Sequence, residues 1–574
     1  MKTGRYYKRG NQMVNGFLHT EGRLIKNEGG ETVILRGWAA GGWNVIEGYL
    51  NSGIGIGMGH GMTPLDADPE RTIYNQRFDR TRTMNDAIRE LCGTEYAKNF
   101  WPKWYRNMLT EEDIRILAED GYNSIRLPLE ASAFLYEEPE IQWNEDSFQM
   151  LSDVIGWCEK YRIYAILDLH AAVGGQSSVS CDGGLDNVPR LFTEPESWNR
   201  TILLWQEFAK RYQDSWIVAG FELLNEPIAL PWAHSLKPEL RRFYEETIAA
   251  IRMIDKKHMI ILQDASFAHD TSVFDEEIDS ECHNWVMCFH EHHISPELKS
   301  ITKWLEASIR LNVPVWYGEG STDEWNGAFI LDMLQDLGIG FNHFPWKAME
   351  TVDGHGNEAH TYPMPKEWRK IVDYILFKGS RPNYAESQAI FDELQECTKA
   401  VHYVEHDPLY AVKTLKKQGV ELPGVFYDST YKNPEAHSQN WPYSNVFSFR
   451  SEDRTKLVVK PDGKMPGVFD SRWDAPKAVD NLYLELSAGE HAEYTIYDVT
   501  AACTVQFSVL VREDADVIVC VENLADGKKT TNSFSLYYSE DLAVIEGAVI
   551  PPGEAYTVRI SVEKGTVQVA KVKF

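Results

Sequence analysis

A chain of 574 residues with 43% hydrophobic and 25% charged side chains is too long for a disulfide-stapled mini-protein and too apolar to stay disordered. Domains hold roughly 100–200 residues, or about 250 in an α/β barrel, so two domains are expected. Asp and Glu number 86 against 57 Lys and Arg, and the net charge of −29 argues against nucleic acid or an anionic membrane as partner.

The first ten residues carry charge but no apolar stretch follows them, so a signal peptide is not expected. Eight short apolar runs then recur through the first 350 residues. They are Val33–Trp38, Tyr122–Leu127, Ile163–Leu169, Ile217–Leu224, Met259–Leu262, Trp285–Phe289, Val313–Tyr317 and Ile339–Phe344. Continuous rather than alternating apolar runs predict strands covered on both faces. Helical spacing fills intervals between them. Glu111–Asp120 has Ile114, Leu117 and Ala118 on one face and Gly121 placed to end it, and Ile202, Trp205, Phe208 and Tyr212 form another stripe. Strand and helix alternating eight times predict an α/β fold, a (β/α)8 barrel over residues 1–420, in preference to a doubly wound open sheet. Residues 351–420 read as mostly helical and include the last barrel helix, and Leu422–Asn445 reads as a linker.

From about residue 425 the pattern changes to short strands without helices. Tyr483–Leu486, Val505–Val511, Val517–Val521 and Tyr556–Val562 are strands, and a Lys564-Gly565 turn leads into Thr566–Val569. That spacing predicts a β-sandwich over 425–574. Trp441, Tyr443 and Trp473 are candidates for a carbohydrate platform on it; a brace for the barrel or a self-association surface in a homo-oligomer is the alternative. The eight cysteines form no C-x-x-C pair and no run of 18 apolar residues occurs. These features predict a reduced, cytoplasmic protein with no membrane span.

In a barrel the reactive side chains stand at the carboxyl ends of the strands. Read in order, those ends are Arg36, Arg126, Asp168 and His170, Asn225 and Glu226, Asp264, His290 and His292, Glu319, then Phe344 and Trp346. Glu226 lies in Leu-Leu-Asn-Glu-Pro and Glu319 in Tyr-Gly-Glu-Gly, which puts two glutamates opposite each other across the mouth if they follow strands four and seven. Two facing carboxylates suit cleavage of an acetal, one donating a proton to the leaving oxygen and the other attacking the anomeric carbon. Arg126 is placed to keep Glu319 charged.

Leu35-Arg36-Gly37, Gly41-Gly42-Trp43-Asn44-Val45-Ile46-Glu47, Ser124-Ile125-Arg126-Leu127-Pro128, Leu167-Asp168-Leu169-His170, Asn225-Glu226-Pro227 and Gly318-Glu319-Gly320 resemble glycoside hydrolase family 5 of clan A. The first stretch is most similar to its exo-β-1,3-glucanase branch, and the resemblance covers about residues 15–350. It implies a retaining β-glycosidase without cofactor or metal, with Glu226 as acid/base and Glu319 as nucleophile. It further implies that Asn225 binds the 2-hydroxyl, that Arg126 and His170 shape the −1 subsite, and that Glu47 holds the non-reducing-end sugar. The substrate class implied is β-glucosides or short β-glucan oligosaccharides; glycolipid or steryl glucosides, or mannose or galactose at −1, are the rivals. The chain departs from the family pattern twice. His292 stands where a His-x-Tyr motif has Tyr, and Phe344 stands where a −1 Trp is usual, unless Trp346 takes that place.

Other signals carry less. His290-Glu291-His292-His293 is not H-E-x-x-H and is read as sugar-binding, though His170, His290, His292 and Asp264 are the set a metal hydrolase would use. Gly53–Gly61 lacks G-x-G-x-x-G and is read as a loop over the mouth. Ser177, Ser178 and Ser180 sit in no G-x-S-x-G elbow. Asp168 is taken to point away from His170 and to be structural, and Trp38, Trp43, Trp232, Trp316 and Trp346 are mostly core. A non-catalytic carbohydrate-binding barrel is the reading from a different class.

Overall fold

The computed structural model describes residues 14–51, 77–136, 140–184, 186–229, 231–292, 297–320, 324–350, 358–402, 404–405, 410–430, 435–437, 449–450, 452–453, 455–465 and 478–574. The expectations for Gly53–Gly61, His293, Trp441, Tyr443 and Trp473 lie outside these residues.

Eight strands close into a parallel barrel: β1 (Arg36–Ala39), β2 (Ser124–Glu130), β3 (Tyr164–Ala171), β4 (Val218–Glu222), β5 (Met259–Gln263), β6 (Trp285–His290), β7 (Val315–Glu319) and β8 (Gly340–His343). Each strand pairs with its sequence neighbours, and β8 closes on β1 through Phe341 opposite Arg36. All eight apolar runs of the sequence become these strands. They read as continuous because helices cover their outer faces, and all but β1 leave polar residues at the carboxyl end. One offset matters. Val33–Leu35 precede β1, so Arg36 opens that strand instead of closing it, and its backbone N–H donates to Asn123 Oδ1 at 2.7 Å.

Between β1 and β2 lie α1 (Thr81–Cys92), α2 (Thr94–Met108) and α3 (Glu111–Glu119). Helix α3 starts with a capping box, the Thr110 backbone N–H donating to Asp113 Oδ2 at 2.8 Å. It stops before Gly121, whose φ of 92° only glycine adopts without strain. Then follow α4 (Glu145–Tyr161) after β2, α5 (Pro195–Tyr212) after β3, α6 (Ala233–Arg252) after β4, α7 (Thr302–Leu311) after β6 and α8 (Glu324–Asp336) after β7. The expected eightfold alternation breaks at one point: β5 and β6 are joined by the four-residue turn Ala265–Ala268 and irregular chain, with no long helix among the described residues. After β8 come α9 (Trp368–Ile375) and α10 (Tyr384–Cys397), which close the ring as the composition of 351–420 predicts.

The C-terminal strands are β9 (Glu421–Pro423), β10 (Lys456–Val459), β11 (Leu482–Ser487), β12 (His491–Val499), β13 (Cys503–Asn523), β14 (Lys529–Leu536), β15 (Leu542–Ile550) and β16 (Gly553–Lys573), joined in one antiparallel sheet. Two corrections follow. Val505–Val511 and Val517–Val521 are one 21-residue strand, and Lys564-Gly565 is no hairpin, because β16 runs through it paired to β13 on both sides. Bulges at Val511–Asp516 bend that pair, and Gly565, with φ 77°, passes so near Asp514 that a Cβ would lie 2.2 Å from its carbonyl oxygen. The bend folds the sheet into two halves that face each other, with Tyr494 of β12 against Phe507 of β13 at 5.8 Å between ring centroids. The supposed linker also begins inside this unit. Leu422 is buried in the sheet core, and Pro423 is accommodated because β9 lies at an edge.

Helix α8 serves both units. Ile330, Leu331 and Leu334 join the barrel core while Ala328 and Phe329 join the core of the sheet. The Phe329 ring meets Phe449 at 4.7 Å and Phe426 at 5.4 Å, and Lys416 Nζ bridges Asp332 of α8 at 2.6 Å and Asp428 at 3.2 Å.

Candidate active site

Glu319 is the last residue of β7, held at the barrel mouth between two glycines that close approach requires. A Cβ at Gly318 would lie 2.3 Å from Cys288 Sγ, and one at Gly320 would overlap the Tyr317 hydroxyl. Glu226 follows β4 by four residues at a φ of 41°, a left-handed conformation costly for a side-chain-bearing residue. Its backbone N–H donates to Gln263 Oε1 at 2.7 Å, which fixes the turn. The two strand ends bring a carboxylate oxygen of Glu226, one of Glu319 and a ring nitrogen of His292 within 4.8 Å of one another.

One guanidinium organises the floor. Arg126 Nη1 donates to Glu319, Nε to Glu222 Oε2 at 2.7 Å, and Nη2 to Asn225 Oδ1 at 2.8 Å and Asp168 Oδ2 at 3.0 Å. The side chain is fully buried, so its charge is compensated by these carboxylates and not by water. Three carboxylates sharing one cation inside protein cannot all ionise at no cost. Burial pushes the Asp168 carboxyl up to about 7 against the pull of Arg126, and burial likewise raises Glu222.

Asp168 shares a strand face with His170, as residues two apart do, and does not point away from it. His170 Nδ1 donates to Asp168 Oδ2 at 2.8 Å, and Asn225 Nδ2 donates to His170 Nε2 at 3.1 Å. Burial lowers His170 to about 4, which keeps the ring neutral and consistent with this tautomer. Asn225 is thereby locked at both ends of its amide, with one N–H left for a ligand.

His290 closes β6, where a bulge after Phe289 sets it opposite Glu319. Its Nδ1 lies 3.0 Å from Glu226 Oε1 and 3.7 Å from Glu319 Oε2, and its Nε2 lies 2.9 Å from Gln263 Nε2. Gln263 Nε2 also donates to Glu222, so its amide nitrogen faces His290 as donor and the His290 proton resides on Nδ1, toward Glu226. His292 Nε2 approaches Glu319 Oε2 at 4.0 Å. Glu47 is 5% exposed, and Tyr49 hydrogen-bonds to it; burial first, then repulsion from Glu319 and Glu226, raises its carboxyl well above the usual range. Glu47 therefore lies within electrostatic reach of both glutamates.

Phe344 and Trp346 part company. The Phe344 ring stacks on His170 at 6.3 Å with 9° between planes. Trp346 turns outward, its indole donating to Asp113 Oδ1 of α3 at 2.9 Å and its ring packed on Trp38. Alternation along the chain puts neighbours two apart on one face only while the strand continues, and β8 ends at His343. Asp264 caps the turn after β5, accepting from Ala265 and Val273, and takes no part in the carboxylate cluster. Trp38, Trp43 and Trp316 are buried in the core.

Glu222 and Gln263 were not singled out by sequence reasoning, although Glu222 is the one charged residue within the run Ile217–Leu224 and Gln263 directly follows Met259–Leu262. Two sets of side chains have the donor types of a metal site, Glu226–His292–Glu319 and Glu222–Cys288–His290. In the second set Arg126 and Gln263 already engage Glu222, and Gln263 engages His290. Together the groups can donate a proton, supply a nucleophilic carboxylate and bind hydroxyls in one cavity.

Residues 84–330 match the family model Cellulase (glycosyl hydrolase family 5). The chain is 27% identical to a β-xylosidase of Phanerodontia chrysosporium over 278 residues, covering 48% of this chain and 52% of that protein. It is 28% identical to a probable glucan 1,3-β-glucosidase A of Emericella nidulans, covering 54% and 71%, and 25% identical to a glucan 1,3-β-glucosidase of Candida oleophila, covering 45% and 57%. The match thus spans little more than half of two of these three curated relatives. Among solved structures, the catalytic domain of Thermobifida fusca endoglucanase Cel5A aligns with a TM-score of 0.37 and 17% identity over 67% of this chain and 99% of that one. No helix among the described residues is long and apolar enough to cross a membrane.

Proposed function

Starting from a chain that belongs to glycosyl hydrolase family 5 through residues 84–330, we propose that it is a retaining β-glycosidase acting from the non-reducing end of β-glucosides or short β-glucan oligosaccharides. The observation that carries this reading is the separation of the Glu226 and Glu319 oxygens, within 4.8 Å. Retaining glycosidases hold their carboxyls about 5 Å apart, whereas inverting ones leave roughly 6.5–9.5 Å for a water.

In the first step a Glu319 oxygen bonds to the anomeric carbon as the glycosidic C–O bond breaks, and Glu226 gives its proton to the departing oxygen. In the second, Glu226 takes a proton from water, whose oxygen bonds to the anomeric carbon while the ester to Glu319 breaks. The Arg126 guanidinium on Glu319 supports this order, because a cation beside that carboxylate favours its ionised, nucleophilic form and leaves Glu226 as the acid. Asn225 and His170 line the sugar, and Phe344, not Trp346, takes the aromatic position. Glu47, buried within electrostatic reach of the pair, is the residue proposed to hold the non-reducing-end sugar and supports the exo reading. An intracellular setting is supported by eight free thiols.

Reaction with a 2-deoxy-2-fluoro-β-glucosyl fluoride tests the proposal. A stable mass increase of one fluoroglucosyl unit on the peptide holding Glu319 is expected. No label, together with no turnover of aryl β-glucosides, xylosides, mannosides or galactosides, overturns it. The relative rates among those four sugars decide between glucose and the xylose that the name of one relative prints.

A further inference from the structure

A cavity of about 690 Å³ lies on the flank of the barrel, between α1–α2 and the segment that joins β2 to α4. We propose that it is a second, non-catalytic saccharide-binding site that holds a neutral pyranose unit of a glycan chain beside the catalytic pocket. The choice of β-glucan as the chain rests on the function proposed above; the site itself does not.

The floor of the cavity is built to accept hydroxyl donors. Glu130, the last residue of β2, is 4% exposed; Ser132 Oγ donates to its Oε1 at 2.5 Å, and its Oε2 has no hydrogen-bond partner. A buried carboxylate oxygen without a donor is expensive, so a ligand that brings an O–H to it is favoured. Beside it stands Tyr105, 7% exposed, whose hydroxyl makes no hydrogen bond among the described residues. Burial raises both groups above their ordinary ranges, which keeps the phenol protonated as a donor.

The walls are aromatic. Trp101 lies on Tyr105 with centroids 6.1 Å apart and 29° between planes, and its indole donates to Asn85 Oδ1 at 2.9 Å, which fixes the ring. Tyr136 stands at the rim, 52% exposed. Flat rings beside fixed polar groups match a pyranose, which presents a C–H face and an edge of hydroxyls. Arg82, Lys98 and Arg106 share the lining with Glu130 and Asp146, so charges of both signs are present and differ by one.

The loop Cys181–Gly184 separates this cavity from the glutamate pair. Cys181 lies within the electrostatic reach of Glu226 and Glu47, while a Cβ on Gly183 would sit 3.5 Å from Glu130. A chain held in the cavity would thus lie one loop away from the scissile position.

The test uses the full-length Glu319→Gln protein, so that probes survive, and titrates laminaritetraose, cellotetraose and xylotetraose by calorimetry. At least one tetraose is expected to bind at a site whose affinity falls about tenfold on adding Trp101→Ala, and likewise on adding Glu130→Gln. In the parent background, Trp101→Ala should leave kcat/KM for 4-nitrophenyl β-glucoside within about twofold, which separates this site from the catalytic one. Isotherms unchanged by both substitutions, or no binding of any of the three, overturn the proposal. Failure of the fluoroglucosyl labelling with Trp101-dependent tetraose binding intact would sink the glycosidase reading and leave this site standing.

Discussion

His290 Nδ1 lies 3.0 Å from Glu226 Oε1 and 3.7 Å from Glu319 Oε2, so one imidazole N–H is aimed between the two carboxylates. Its direction is set from behind by Gln263, which donates to its Nε2 and to Glu222 and accepts from the Glu226 backbone. The two carboxylates are thus bridged by a neutral ring whose tautomer a third residue dictates.

Gln263→Leu removes that control while nearly preserving volume. His290 then can carry its proton on either nitrogen, and the Glu226 turn loses its acceptor. A fall in kcat of about 10²-fold is expected, with KM for the aryl glycoside changed little. Steady-state kinetics decide it, and an unchanged kcat would show that the Gln263–His290 contact is merely structural.

The two glutamates should fail differently. Glu319→Ala should lower kcat by at least about 10⁴-fold on every substrate, because bond formation to the anomeric carbon is lost. Glu226→Ala should cost about 10²–10⁴-fold on poor leaving groups and far less on a dinitrophenyl glycoside, which needs no proton to depart. A series of aryl glycosides of graded leaving-group acidity reads this directly. Equal losses for both variants across the series would reverse or refute the assignment.

Acid should destabilise the barrel through His170. Its ring is held near 4 when folded and takes a proton near 6.5 when unfolded, so the unfolded chain binds more protons between those values. The contribution of His170 to stability is therefore complete above pH 6.5 and declines as the pH falls toward about 4, by up to ~3 kcal/mol. Thermal unfolding of His170→Asn should show a shallower loss of Tm between pH 6.5 and 4 than the parent. Parallel curves would contradict the burial argument.

Phe329 ties the barrel to the C-terminal sheet. Its ring contacts Phe426 and Phe449, and Arg450 lies 5.0 Å over it. Phe329→Ala should cost about 3–5 kcal/mol and separate a single calorimetric transition into two, one for each unit. A single transition shifted by less than 1 °C would mean that Lys416 and its two aspartates hold the units together without it.

The barrel was legible in the chain because eight strands covered on both faces must be written as eight apolar runs, wherever they end up in space. Glu226 and Glu319 were legible for a related reason: a charged residue two positions after such a run stands near the barrel mouth. What the chain could not disclose was who meets whom inside. Asp168 was assigned to the wrong face, although two-residue spacing already fixed it beside His170. Phe344 and Trp346 are equivalent in the sequence, and only the end of β8 at His343 sends one to His170 and the other to Asp113. Glu222 and Gln263 acquire meaning only because strands four, five and six adjoin in the closed sheet and place both around Arg126 and His290. The long strands β13 and β16 likewise run through apparent turns, since a bulge and a glycine kink bend a strand that pairing on both sides keeps continuous. Periodicity is a local property of the chain; the sharing of one buried cation among three acids is a property of closure, and it exists only once residues some 200 positions apart have come together.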